Sequence, residues 1–249
     1  MNWRLLPFQA ASAAMNMAID EAILESIAEG KSPPTIRFYA WRPSAVSIGV
    51  FQEAAKEVRL DVCRAKGVDV VRRITGGGAV YHDADGEITY SILAPESMFP
   101  KGITESYHLI CGWIVDGLAK VGIEGQFHPI NDVIAGDKKI SGNAQTRRKK
   151  VLLQHGTILY DLDVDTMFDV LDVGPIKIKD KVITNVKQRV TSVRDLAPGV
   201  SKDEVLDAMR WAFLAEKRWS KAPLSDDERI VAERLARQKY GSKDWLMRR

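Results

Sequence analysis

The sequence predicts an α/β domain of the α+β type, in which helices flank a mixed, largely antiparallel sheet. Three observations lead to this prediction: an N-terminal segment with apolar residues at helical spacing, short alternating or apolar segments through the middle of the chain, and capped, charged helical segments towards its end. A chain of 249 residues can bury a sizeable core. We predict a single domain over residues 1–249, with a helical end from about residue 200.

The first helix has the clearest boundaries. Ser12 can cap it, apolar side chains recur at helical spacing as far as about Glu29, and Gly30 ends it. The segment 87–93 alternates as a half-buried antiparallel strand requires. Further strands are predicted at 35–40, 45–51, 68–73, 131–135, 139–140 and 151–160, and further helices at 57–66, 105–120, 201–217 and 225–240.

The composition is that of a soluble globular protein, with 45% apolar and 28% charged residues. A net charge of +3 is too small to predict nucleic-acid binding. No apolar stretch is long enough to span a membrane, and the N-terminus lacks the charged-then-apolar order of a signal peptide. Cys63 and Cys111 lack metal-ligand spacing and lie on predicted helices, which indicates buried thiols in a reducing compartment. We therefore predict a cytoplasmic protein that binds neither nucleic acid nor membranes.

The segment from Arg72 to Asp83 joins two predicted strands through two arginines, a threonine and three consecutive glycines. Glycines leave backbone amides uncovered, and successive bare amides form a concave, positive surface for an oxyanion. The arginines could add planar donors for the same oxygens. The alternative is a tight turn or bulge, which is the common role of glycines between strands. A dinucleotide-binding motif is excluded, because strands rather than a helix are predicted after the glycines.

A second polar segment runs from Asn131 to Gln145 and precedes a strand that carries His155. Lys139 lies there among small residues and amides, and an inward-pointing lysine would suit a phosphoryl or carboxylate oxygen; the alternative is a solvated hairpin lysine. Asp132 could bind a divalent metal or belong to a turn. His155 could be a hydrogen-bonded core residue or a site residue. No Ser–His–Asp order, nucleophile elbow or zinc-ligand spacing is recognisable.

Together these segments resemble the lipoate–protein ligase family. Residues 72–83 are similar to its signature loop, residues 138–144 to its lysine segment, and residues 154–159 to the strand that follows. The resemblance extends in the same order over nearly the whole chain. It includes the segments 16–22, 37–39 and 49–52.

The resemblance implies the fold shared by biotin protein ligases and class II aminoacyl-tRNA synthetases, and an AMP-forming reaction in two steps. ATP, with Mg²⁺, would convert lipoate to lipoyl-AMP, and a lysine of an acceptor protein would then displace AMP. Lys139 would be catalytic, contacting the lipoyl carbonyl and the α-phosphate, and Asp132 would bind the metal. By the same resemblance, the ATP and lipoyl-AMP site would comprise Arg73, Thr75, Gly76, Gly77, Gly78, Ala79, Val80, Tyr81, Lys139, His155 and Thr157.

The resemblance also implies protein partners. The acceptors would be lipoyl-domain proteins, such as the E2 subunit of 2-oxoacid dehydrogenases or the glycine cleavage H protein. The C-terminal accessory domain of single-chain bacterial ligases is not recognisable in this chain. A separate small accessory subunit is therefore predicted.

Two alternative functions stay open. The segments 83–91 and 144–147 look more like the octanoyltransferases of the same superfamily, which take octanoyl from acyl carrier protein on a cysteine and need no ATP. The stretch 122–130, where that cysteine is expected, has none. Cys111 lies on an apolar helix, where burial would raise its pKa, so the sequence favours the ligase. The second alternative is a non-catalytic protein that binds adenylates or lipoyl domains.

Overall fold

The computed structural model describes residues 2–172 and 189–249. The strands are β1 Trp3–Leu5, β2 Gln9–Ala11, β3 Thr35–Trp41, β4 Ala45–Ile48, β5 Asp69–Arg72, β6 Val80–His82, β7 Glu87–Pro95, β8 Gly125–His128, β9 Asp132–Ala135, β10 Lys138–Arg148, β11 Val151–Leu159 and β12 Trp219–Lys221. The helices are α1 Ala13–Ala28, α2 Ala54–Glu57, α3 Leu60–Lys66, α4 Ile103–Lys120, α5 Val164–Val170, α6 Val193–Leu196, α7 Lys202–Leu214, α8 Asp226–Leu235 and α9 Lys243–Leu246.

The main sheet is mixed and largely antiparallel, as predicted. Its strands follow the order β12-β1-β3-β7-β11-β10-β9-β8, and β2 also pairs with β3. The pairs from β3 through β7, β11, β10 and β9 to β8 are antiparallel, whereas β1 runs parallel to both β12 and β3 and β2 runs parallel to β3. The central strands β3, β7 and β11 are buried, which explains their long apolar stretches.

Helices cover both faces of this sheet. Alternate residues of β3 point to opposite faces, so Phe38 packs with α4 and α7 while Tyr39 and Trp41 pack with α1. On its own side, α1 also contacts α8 and the sheet. No helix within residues 2–172 and 189–249 is long and apolar enough to cross a membrane.

A second, three-stranded sheet carries the glycine segment. Its order is β5-β4-β6, with β4 parallel to β5 and antiparallel to β6. The glycines lie between the end of β5 and the start of β6, and Gly77 has a φ of 97°, a conformation that glycine adopts most easily. A Cβ at Gly49, directly after β4, would overlap the carbonyl oxygen of Gly77. The close approach of these two backbones therefore requires glycine at position 49.

Arg72 joins this small sheet to the C-terminal region. Its guanidinium is buried, and it donates hydrogen bonds to carbonyl oxygens of Gln52 (2.6 Å), Trp245 (3.0 Å) and Leu246 (2.6 Å). The indole nitrogen of Trp245 in turn donates to the carbonyl oxygen of Arg72 at 2.8 Å. Helix α9 is thus fixed beside the strand that leads into the glycines.

The predicted elements are confirmed where the sequence pattern is long, and wrong mainly at short elements. The hydroxyl of Ser12 caps α1 as predicted, accepting from the amide of Met15. The predicted helix 57–66 is divided into α2 and α3, because Val58 is extended and bridges to Leu171. The predicted strand 139–140 is part of the eleven-residue β10. Strands β1, β2, β8 and β12 were not predicted.

Candidate active site

A cavity of about 310 Å³ lies between the small sheet and the main sheet. Two walls carry its polar groups. We call the wall formed by Ser47, Arg73 and residues 77–82 the glycine wall, and the wall formed by Lys139, residues 142–144 and residues 155–157 the lysine wall. The remaining lining is mostly apolar. It consists of Met17, Tyr39, Trp41, Leu159, Leu162, Met167, Leu171 and Val190, together with the polar residues Thr89 and Asn131.

Most of the predicted site residues meet at this cavity. Thr75 and Gly76 do not line it, and Asp132 lies behind the lysine wall. The predicted residues that do line it are Arg73, Gly77, Gly78, Ala79, Val80, Tyr81, Lys139, His155 and Thr157.

Arg73 uses its donors to hold the glycine wall together. Nη2 donates to the carbonyl oxygens of Gly76 (2.8 Å) and Gly78 (2.7 Å), Nη1 donates to the carbonyl oxygen of Ser47 (2.9 Å), and Nε donates to the hydroxyl of Thr75 (3.1 Å). The residue is 4% exposed, and burial lowers the pKa of its guanidinium to about 10. Within the described part of the chain, no acceptor faces the amides of the three glycines.

Lys139 supplies the cation of the lysine wall. Its Nζ lies 2.7 Å from Oδ1 of Asp132, an ion-pair contact without the geometry of a straight hydrogen bond. The two side chains are 39% and 30% exposed, so solvent reaches both. The pairing in β9 and β10 shifts register between Lys139 and Ser141, and this irregularity separates the lysine from the regular part of the hairpin. Lys139 therefore offers a partly exposed positive charge at the cavity.

The predicted metal site at Asp132 does not assemble from protein ligands. Its Oδ1 faces the Lys139 ammonium, and the described residues contain no group of three or more His, Cys, Asp or Glu side chains that could hold a metal. A lone carboxylate beside an ammonium is a poor cation site. We assign no chemical step to a metal here.

His155 connects the lysine wall to the glycine segment. Its Nε2 lies 2.7 Å from the hydroxyl of Thr75, and its Nδ1 lies 3.4 Å from Oδ2 of Asp20. Burial lowers the pKa of His155 below its ordinary value, despite the neighbouring carboxylate. Burial opposes ionisation of Asp20, but the Arg37 guanidinium and His155 outweigh it and hold the pKa of that carboxyl below its ordinary value. His155 is therefore both a hydrogen-bonded core residue and part of the cavity wall, which joins the two interpretations left open by the sequence.

A similar chain of side chains lies at the glycine wall and is not evident from the sequence. The hydroxyl of Ser47 lies 2.8 Å from Nε2 of His82, and Nδ1 of His82 lies 2.9 Å from Oε1 of Glu87. The His82 ring stacks on Trp41, with 4.1 Å between ring centroids and 18° between planes. Ser47, His82 and Glu87 lie on three different strands, so no local sequence motif indicates this arrangement.

The two thiols of the chain lie away from the cavity. Cys63 and Cys111 are buried, as predicted, and neither lines the cavity. Burial raises the pKa of Cys63 to about 11 and that of Cys111 to about 12. Neither residue is poised as a thiolate.

Comparison with known proteins identifies the family. Residues 12–214 match the lipoyl protein ligase A/B catalytic domain, and the chain belongs to this family. It is 35% identical to Octanoyltransferase LipM of Brevibacillus brevis over 275 aligned positions, covering 99% of both chains. It is 38% identical to Octanoyltransferase LipM of Kyrpidia tusciae, again with 99% of each covered. A solved structure from Thermoplasma acidophilum, described as a bi-partite lipoate protein ligase, matches with a TM-score of 0.91 and 33% identity over 99% of this chain and 96% of that one.

These relatives correct the predicted activity. The prediction of an ATP-dependent, AMP-forming lipoate–protein ligase is wrong, because curated relatives covered almost end to end are octanoyltransferases. The physical reason for the error is that an acyl cavity, a lysine and bare amides suit an acyl adenylate and an acyl thioester alike. The requirement for ATP, Mg²⁺ and lipoate stays an untested prediction without support from these relatives.

Proposed function

We propose that the protein transfers an octanoyl group from the thioester of acyl carrier protein to a lysine of a lipoyl-domain protein, without ATP. The acceptors would be the proteins named above, the E2 subunit of 2-oxoacid dehydrogenases or the glycine cleavage H protein. The observation that carries this proposal is a largely apolar cavity with a cationic lysine and unpartnered loop amides on its walls. The near-complete alignment with octanoyltransferases supports it.

The cavity suits the acyl chain. Each methylene moved from water into apolar surroundings contributes about 0.8 kcal/mol, so a medium-length chain gains substantially from burial among Met17, Trp41 and Leu159. Most of the polar lining belongs to the two walls. An acyl chain in the apolar region would therefore present its carbonyl group to them.

The walls supply what thioester cleavage requires. When a nucleophile attacks the carbonyl carbon, negative charge develops on the carbonyl oxygen, and fixed donors stabilise that charge. Lys139 and the amides of Gly77 and Gly78 are the available donors. The overall exchange breaks one C–S bond, forms one C–N bond and releases the carrier thiol. No phosphoryl chemistry is involved.

The predicted accessory subunit is not part of this proposal. The chain aligns with almost the full length of the octanoyltransferases, which gives no reason to expect a second subunit. A cytoplasmic location, where acyl carrier protein and lipoyl-domain proteins would both be available, remains part of the proposal.

The test is an octanoyl-transfer assay with purified protein, octanoyl-acyl carrier protein and an unmodified lipoyl domain, followed by mass spectrometry of the domain. We expect transfer without ATP and Mg²⁺. Lys139→Ala should reduce the rate by about 10²–10³-fold, because it removes one donor to the developing charge. Lys138→Ala is the matched control, since this neighbouring lysine does not line the cavity.

Three outcomes would contradict the proposal. The first is absence of transfer from the carrier thioester, and the second is modification that requires ATP and free lipoate. Equal losses in the two lysine variants would refute the role of Lys139. If transfer from the carrier thioester is absent and ATP with free lipoate gives no modification either, the result would favour a non-catalytic protein that binds adenylates or lipoyl domains.

A further inference from the structure

The chain of Ser47, His82 and Glu87 has a defined direction of hydrogen bonding. When Glu87 is ionised and His82 is neutral, the proton that Glu87 accepts is on Nδ1 of His82, and this tautomer leaves the lone pair of Nε2 pointing at Ser47. Nη1 of Arg73 donates to the Ser47 hydroxyl oxygen at 3.1 Å. The hydroxyl proton is therefore left to face Nε2. This is the arrangement of a nucleophile, a general base and a carboxylate that orients the base.

Ser47 also lies beside suitable oxyanion donors. In the small sheet Ser47 is the register partner of Val80, which lies two residues after Gly78. Gly77 and Gly78 line the same cavity as Ser47, and no acceptor faces their amides within the described residues. An acyl carbonyl positioned against Ser47 would thus have donors close to its oxygen.

Other nucleophiles in the described part of the chain are less well placed. Cys63 and Cys111 do not line the cavity. Thr75 is also hydrogen-bonded to a histidine, but it is fully buried and does not line the cavity either. Ser47 and His82 both line the cavity and are hydrogen-bonded to each other. Thr157 and His155 also line it, but Nε2 of His155 is bonded to Thr75 instead.

We propose, building on the octanoyl transfer above, that Ser47 is the nucleophile and carries the acyl group as an ester, with His82 as general base and Glu87 as the positioning residue. In the first half-reaction, Ser47 Oγ attacks the thioester carbonyl carbon and its proton moves to His82 Nε2. The C–S bond breaks, and the carrier sulfur leaves with that proton. In the second, the acceptor lysine amine attacks the ester, His82 takes a proton from it, and Ser47 Oγ leaves with that proton as the amide forms.

The intermediate is directly measurable. The intact protein is incubated with octanoyl-acyl carrier protein in the absence of acceptor, and its mass and peptide map are determined. We expect one octanoyl group on Ser47, stable to neutral hydroxylamine because it is an oxygen ester. Ser47→Ala should abolish the adduct and reduce transfer by at least about 10²-fold. Ser106→Ala, an equally buried serine on α4, should retain both.

Two further variants guard against a folding artefact. Ser47→Cys keeps the position of the nucleophile and should restore an adduct that neutral hydroxylamine now removes. Glu87→Gln should slow adduct formation by roughly 10²–10⁴-fold while the adduct still maps to Ser47. A purely structural role for Glu87 would instead lower the thermal midpoint without this selective effect.

A second acyl donor tests the role of Ser47 independently of the proposed transfer from acyl carrier protein. With p-nitrophenyl octanoate we expect a burst of one equivalent of nitrophenolate from the unmodified protein and none from Ser47→Ala. A burst with the acyl adduct on Ser47, but no transfer from the carrier thioester, would refute the proposed function. The assignment of Ser47 as nucleophile would then still hold. Octanoyl transfer that proceeds with no adduct, or with an adduct on Cys63 or Cys111, would overturn the assignment of Ser47. Failure of both donors to acylate Ser47 would overturn it as well.

Discussion

The glycine wall and the lysine wall each carry one cationic side chain, but they hold it in opposite ways. Arg73 is almost completely buried and donates to backbone and side-chain oxygens of its own wall. Lys139 is 39% exposed and faces a single carboxylate. The buried cation fixes the shape of its wall, whereas the exposed one remains available to a ligand. Two similar charges in one site thus have different tasks, and variants of each should affect different measurements.

The largest effect is expected from Arg73→Met. Several buried carbonyl oxygens would lose their donor, and each unsatisfied buried group costs about 1–3 kcal/mol. The free energy of unfolding should fall by more than about 3 kcal/mol, with loss of the proposed octanoyl transfer. Urea unfolding followed by circular dichroism measures this change. Arg64→Met, at an exposed position on α3, should stay within about 0.5 kcal/mol, and equal stability of the two variants would remove the distinction between the walls.

An intermediate effect on the free energy of unfolding is expected from acidification. The group responsible is His155, which connects the lysine wall to Thr75. Burial lowers the pKa of His155, so below its ordinary value of 6.5 the unfolded chain binds a proton more readily than the folded protein. Stability should therefore decrease as the pH falls through 6.5, by no more than about 1.4 kcal/mol per pH unit from this group.

Urea unfolding of His155→Gln at about pH 7.5 and about pH 5.5 tests this coupling. The variant should lose less stability on acidification than the unmodified protein, because the titrating group is gone. His128→Gln, at an exposed histidine of β8, should keep the original dependence. The same pH dependence in all three proteins would show that protonation of His155 is not what lowers the stability.

The smallest effect is expected from Asp132→Asn. Exposed ion pairs typically contribute up to about 1 kcal/mol, and both partners here are reached by solvent. The free energy of unfolding should therefore change by less than about 1 kcal/mol, similar to Asp137→Asn in the adjacent turn. A loss as large as that of Arg73→Met would mean that the lysine wall is also a structural support.

The sequence predicts the site better where one segment contains all the necessary information. The helix after Ser12, the glycine segment and Lys139 follow from local spacing and from the chemistry of single residues. Strands β1 and β12 are three residues long and take their stability from each other across the fold, so local patterns do not reveal them.

The chemistry of the site was harder to predict for a related reason. Ser47 and Glu87 are forty positions apart, and only the pairing of β4 with β6 brings the serine to the histidine. The sequence does not separate a ligase from a transferase, because a lysine and bare amides suit an acyl adenylate and an acyl thioester alike. The absence of a cysteine in the expected stretch then counted against the transferase. No local motif marks Ser47 as the proposed nucleophile, so its position beside His82 becomes evident only in the folded protein.

The contact of Arg72 with the carbonyl oxygens of Trp245 and Leu246 spans 173 and 174 positions. During synthesis on the ribosome, at about 5–20 residues per second, these acceptors emerge roughly 9–35 s after the arginine. Until then the Arg72 guanidinium lacks some of its hydrogen-bond acceptors. The small sheet is therefore not yet held by its contacts with the C-terminal region. The small sheet, and with it the glycine wall, would therefore reach its final form only after residue 246 has been synthesised.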